Sequence, residues 1–131
     1  MKTRQLTHCL HVFGATAVLF SQVARCATYV VTNTSDSGAG SLRQAILSAN
    51  SSVNVPDVIS FNISGTGPFT ITPATPLPTV TDPVVIDGYT QPGSSPNTLT
   101  NSDNAVLQIV LNGTLLIDTS NSVVRGLAVR T

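Results

Sequence analysis

DSGAGSLRQAILSAN, Asp36 to Asn50, is the stretch on which the fold reading turns. Ser41 followed three residues later by Gln44 has the form of a capping box, in which each side chain satisfies an amide left open at a helix start. Leu42, Ala45, Ile46 and Ala49 then fall at i, i+3, i+4 and i+7, so one apolar stripe faces one way while Arg43, Gln44 and Ser48 lie off it. Two and a half turns do not persist alone in water. The predicted helix therefore has to lie across an apolar surface that the rest of the chain supplies.

That surface is predicted to be made of strands. Thr28–Thr34 is β-branched and aromatic, Asp57–Ile63 alternates Ile59, Phe61 and Ile63 with Ser60 and Asn62, and Phe69 and Ile71 alternate with Thr70 and Thr72. Pro73, Pro76, Pro78 and Pro83 mark a segment unsuited to the middle of a sheet. Asp82–Gly88 reads as a further strand, and Tyr89–Asn104 as a polar loop rich in Pro, Gly and Ser. Val106–Leu111, Leu115–Ile117 and Val123–Val129 are closely spaced strands cut off by turn residues. VVIDG ends at Gly88 and IVLNG at Gly113, with Asp87 and Asn112 in matching places 25 residues apart. Short strands at such a period predict an all-β chain of stacked coils, a right-handed parallel β-helix capped by the short helix. An antiparallel β-sandwich is the competing architecture, without the Cys…Trp…Cys signature of immunoglobulin-type domains.

The first 27 residues are read as a leader, not as fold. Lys2 and Arg4 precede an apolar run from Cys9 to Phe20, and small residues follow, the order of a secretory signal peptide. The run of 12 residues is shorter than the roughly 20 a spanning helix needs. Ala24-Arg25-Cys26 puts small residues at both key positions before a cut, whereas a cut after Ala27 sets Arg25 in an unfavourable place. Val23-Ala24-Arg25-Cys26 also has a faint likeness to a lipoprotein box, with Arg beside the Cys speaking against it. On this reading the domains are 1–27, the signal peptide, and 28–131, the exported unit.

Without the leader the chain loses His8, His11, Cys9, Cys26 and Lys2, and three Arg face six Asp for a net charge of −3. No row of cations remains to neutralise phosphates, so nucleic acid is not an expected partner. Disulfides within the exported unit are excluded, and most nucleophile–base systems lack their side chains. The six Asp residues are scattered along the chain, so no catalytic site is assigned. No cofactor or metal site is assigned either. Asp87 and Asn112 are read as turn residues in preference to Ca²⁺ ligands, because hard-cation sites need six or more converging oxygens. Asn-x-Ser/Thr sites at Asn33, Asn50, Asn62 and Asn112 matter only in a eukaryotic secretory pathway.

Ser41-Leu42-Arg43-Gln44-Ala45-Ile46, continuing to Ala49-Asn50, resembles the S-L-R-x-A-I-x-x-A-N motif near the start of many bacterial secreted and surface proteins. Those proteins carry a right-handed parallel β-helix (pectin-lyase-like) domain. Asp87–Gly93 (DGYTQPG) is similar to a segment found downstream in the same group, and Asn121–Val129 resembles its strand-turn-strand unit. Gly40 stands where many members place a Cys. The resemblance implies that the helix caps the first coil, and it covers about 100 residues. Asp118, Arg125 and Arg130 invite comparison with the Asp and Arg sets of lyases sharing that fold. No motif around Asp118 or Arg125 matches, so they are read as solvated side chains.

Members of the group run for several hundred residues, and the sequence ends at Thr131 with no second capping segment, so a fragment is expected. The functional expectation is a non-catalytic structural or adhesive module, secreted or at the cell surface, with carbohydrate or surface molecules as partners. Self-association through an open C-terminal coil is a further expectation, and stable membrane insertion of the exported unit is not. The alternative is the N-terminal piece of a polysaccharide lyase or glycoside hydrolase.

Overall fold

A computed structural model describes residues 26–52 and 55–131. All but the last two residues of the expected leader lie outside the described residues. The elements run β1 (Thr28–Val31), α1 (Leu42–Ala49), β2 (Asp57–Phe61), β3 (Phe69–Ile71), β4 (Val84–Asp87), β5 (Ile109–Asn112), β6 (Val123–Arg125) and β7 (Leu127–Arg130). A short 3₁₀ turn, Gly88–Thr90, follows β4.

β-Branched residues put these segments in strands, and their alternation sets which face is buried. In β2, Asp57, Ile59 and Phe61 point inward while Val58 and Ser60 are half-exposed. The strands form two small sheets, ordered β1-β2-β4-β6 and β3-β5-β7, and every pairing between named strands is parallel. This excludes the antiparallel sandwich.

The expectation of an all-β right-handed parallel β-helix is corrected as well. The described residues form two separate small parallel sheets with a helix packed on one of them, an α/β-like arrangement, and no closed solenoid. A regular solenoid needs a constant offset between stacked strands. Here the register offsets in the first sheet are 30 residues (Thr28↔Val58), 27 (Asp57↔Val84) and 38 (Val85↔Val123). In the second they are 40 (Phe69↔Ile109) and 18 (Ile109↔Leu127). The 25-residue period fails for the same reason: β4 and β5, which carry VVID and IVLN, belong to different sheets. Leu115–Ile117, expected as a strand, contributes only an isolated bridge from Ile117 to Val80. Val123–Val129 divides at Gly126, whose φ of +70° is left-handed.

One core serves both sheets and the helix. It gathers Val31, Ile59, Phe61, Val84 and Ile86 from the first sheet, Ile71, Ile109 and Leu111 from the second, and Leu42, Ala45, Ile46 and Ala49 from α1. The helical stripe read from the sequence is the buried face. Burying each Leu or Ile contributes about 1.5–3 kcal/mol, which is what a helix of eight residues needs to persist. The Ser41 hydroxyl caps α1 by accepting the Gln44 amide at 3.2 Å. The return half of the capping box is not made, because the Ser41 amide donates to the Gly38 carbonyl and the Gln44 amide group donates to Ser48.

Candidate functional site

The two ends of the sheet stack are finished differently. At the β1 end, α1 packs against β1 and β2 and is fastened to the proline-rich segment below it. Arg43 is the fastener: Nη1 donates to the Pro76 carbonyl at 2.8 Å, Nη2 to the Thr75 carbonyl and to Asp36 Oδ1, both at 2.7 Å, and Nε to the Asp36 carbonyl at 3.0 Å. A rigid five-donor fork suits this set of acceptors, where a lysine ammonium would not. Asp36 Oδ1 also accepts the Ala74 amide at 2.9 Å. The Arg43 bond first, and the Ala74 amide after it, hold the Asp36 carboxyl below its ordinary range. Asn50 finishes the work at the other helix end, donating to the Thr79 carbonyl and accepting the Thr81 amide.

At the opposite end, β6 and β7 are the edge strands of their sheets and follow one another through Gly126. Val123, Val124 and Val129 on these strands are exposed, as are nearby Leu116 at 54 % and Ile117 at 40 %. Edge strands present unpaired backbone donors and acceptors, and apolar side chains beside them favour pairing with another chain. Gly126 fixes the geometry. A Cβ there would collide with the Tyr89 amide, and one on Gly88 would collide with the Gly126 carbonyl, so the two glycines let the chains touch.

The residues weighed from the sequence do not converge into a reaction centre. Asp87 is engaged by Arg125 Nη2 at 2.6 Å and by the Tyr89 amide at 3.1 Å, and its ladder partners are Ser60 and Arg125, not Asn112. That ion pair, more than any other influence, raises the Arg125 guanidinium above its ordinary range, away from any role as a base. Asn112 pairs with Arg130, and Asp118 is exposed, its amide bonded to the Val80 carbonyl. Among the described residues no three His, Cys, Asp or Glu side chains group as metal ligands, and none of the helices is long and apolar enough to cross a membrane. Two shallow depressions of about 230 Å³, one along Pro73–Leu77 and one between β1 and α1, fall short of the roughly 300 Å³ at which small-molecule sites begin.

Three polar residues hold backbone groups or buried positions that sequence reading passed over. Gln91, expected in an exposed loop, is 3 % exposed. Its amide accepts from the Ile63 N–H at 2.8 Å and donates to the Ile63 carbonyl at 2.9 Å, a side chain acting as a strand partner. Thr90 likewise accepts the Phe61 amide at 2.7 Å. Asp57 is fully buried at the head of β2. The only prior signal was its place in the inward-facing set of the β2 alternation. The rest of the loop is organised by its own asparagines: Asn104 accepts the Thr98 amide, and Asn97 accepts the amides of Leu99 and Asn104. No family model, curated protein or solved structure matches the chain.

Proposed function

We propose that this chain is a non-catalytic module, exported by its leader, that serves a structural or adhesive role by presenting a stiff polar surface and by pairing other strands along β6 and β7. The single observation carrying this reading is an asymmetry: the β1 edge of the first sheet is covered by α1 and clamped by Arg43, while β6 and β7 end the two sheets on edges with exposed valines. Parallel strand addition needs a row of free backbone groups and side-chain pockets or stripes of matching polarity. β6 and β7 supply the backbone row, and Val124 and Val129, in register with buried Ile86 and Leu111 of the preceding strands, supply exposed apolar side chains, with Val123 on the opposite face of β6. The exposed Asn, Ser and Thr side chains of residues 95–104 form a hydrogen-bonding face for sugar hydroxyls or other surface molecules.

Analytical ultracentrifugation of the exported protein tests the pairing. Mass is expected to rise with concentration, and Val124→Lys is expected to hold the protein monomeric, since edge lysines oppose strand pairing. A strict monomer at all concentrations contradicts it. Incubation with pectin and related glycans tests the catalytic side: binding without turnover is expected, and release of unsaturated or reducing sugars overturns the non-catalytic reading in favour of a polysaccharide-degrading enzyme.

A further inference from the structure

The head of β1 is held by a buried carboxylate, Asp57. Ala27 is fixed at both of its backbone groups: its carbonyl accepts the Val58 amide at 2.8 Å, and its nitrogen lies 2.7 Å from Asp57 Oδ1. Asp57 is fully buried, and among the described residues neither ion pair includes it. Its other oxygen takes the Ser52 hydroxyl at 2.5 Å. That hydroxyl also faces Asp82 Oδ2 at 3.3 Å and the Ala49 carbonyl at 2.9 Å, so one proton serves three acceptors. The two donors on the buried Asp57 carboxylate, the Ala27 N–H and the Ser52 hydroxyl, are both neutral, and a buried carboxylate is stabilised most by a charged hydrogen-bond partner. An ammonium at the Ala27 nitrogen would bring three donors and one charge to the same point.

We infer that the export cut falls between Cys26 and Ala27, one residue before the 27/28 boundary read from the sequence, and that the new α-ammonium of Ala27 forms a buried ion pair with Asp57. This rests on the reading of the chain as exported. Hydrolysis of the Cys26–Ala27 peptide bond by the host's leader peptidase consumes one water, leaving a carboxylate on Cys26 and an ammonium on Ala27. The position agrees with the sequence, where Ala24 and Cys26 are the small residues before that bond and a cut one residue later would set Arg25 unfavourably. A cut after Ala27 would also discard the carbonyl that receives Val58 and the nitrogen that meets Asp57. Among the described residues, the ionisable groups around the new terminus include Asp57, Asp82 and Tyr29, whose hydroxyl is pushed up first by burial and then by the Asp57 charge. Both carboxylates favour the ammonium. Its folded pKa therefore lies above the ordinary α-amino range of about 7.7–8.0. Its stabilisation is complete below that range and is lost as pH rises through the folded value.

The full chain with its leader is expressed in a secreting bacterial host, and the exported product is examined by intact mass and N-terminal sequencing. A product beginning with Ala27 is expected. A different first residue overturns the inference while leaving export standing, and retention of the whole leader overturns both. Processing removes Lys2, the only lysine, so the terminus becomes the one primary amine and amine-reactive labelling reports on it alone. Labelling at pH 6.5, below the ordinary α-amino range, is expected to be slower than in Asp57→Asn by about tenfold for each pKa unit the ion pair adds. Equal rates overturn the ion pair. Should Asp57→Asn not fold, acetylating the wild-type terminus replaces it: the acetylated protein is expected to unfold at lower urea at pH 6 and at the same urea near pH 11, and no difference at pH 6 contradicts the pairing.

Discussion

At the β1 end of this molecule an eight-residue helix buries four side chains, and Arg43 ties it to Asp36 and to two carbonyls of the proline-rich segment. At the β6/β7 end the same two sheets stop on three- and four-residue strands whose valines are exposed. The strands at both ends are built from the same residue types, so composition does not separate them. Among the described residues, what separates them is that α1 covers β1 and no α-helix packs on β6 or β7. A sheet end without such an element keeps its apolar side chains and backbone groups available to other chains.

The largest expected effect lies at the closed end. Ile46→Ala removes a fully buried side chain between α1 and the sheets and is expected to cost about 2–5 kcal/mol in urea unfolding. Val129→Ala at the open end is expected to stay within about 0.5 kcal/mol, as for ordinary surface changes. Equal losses would erase the distinction between the ends. Next comes Gly126→Ala, which forces a side chain into a left-handed backbone against the Tyr89 amide and is expected to cost about 1–3 kcal/mol. A neutral result would mean that the β6–β7 junction is not held where Gly126 and Gly88 touch.

Ser41→Ala removes the helix N-cap and is expected to cost about 1 kcal/mol. The smallest effect is the pH response of the clamp. Because the folded Asp36 carboxyl sits below its unfolded value of about 3.9, its contribution is present above that value. It is lost as pH falls through the folded one. Urea midpoints measured between pH 6 and pH 2 are expected to fall less steeply in Asp36→Asn than in the wild type. Identical slopes would remove Arg43–Asp36 from the account of the closed end.

The closed end was readable from sequence because its signals are local. Ser41, the 3–4–7 spacing from Leu42 to Ala49 and the alternation through Ile59 and Phe61 all lie within a few residues of what they determine. Sheet membership is not local. Asp87-Gly88 and Asn112-Gly113 look alike because Asp and Asn suit any turn that ends a strand. Their strands nonetheless belong to different sheets, and the period built on them dissolves. The division of Val123–Val129 into two strands came from one φ at Gly126, a freedom that glycine permits but its presence does not announce. Polar residues misled in the other direction. Gln91 fell in a segment read as a polar loop and Asp57 at the head of a strand, yet each is buried and holds a backbone group of another segment: Ile63 in one case, Ala27 in the other. Legibility of the candidate surface was weakest, since exposure of Val123 and Val124 follows from what fails to cover them.

Amide hydrogen exchange, followed on the exported protein at low and at high concentration, tests the contrast most directly. Slow exchange in α1, β1 and β2 at both concentrations is expected, together with fast exchange in β6 and β7 that slows as concentration rises. Protection of β6 and β7 equal to that of β1 and β2 in the dilute monomer, and unchanged by concentration, would contradict the open end and the function drawn from it.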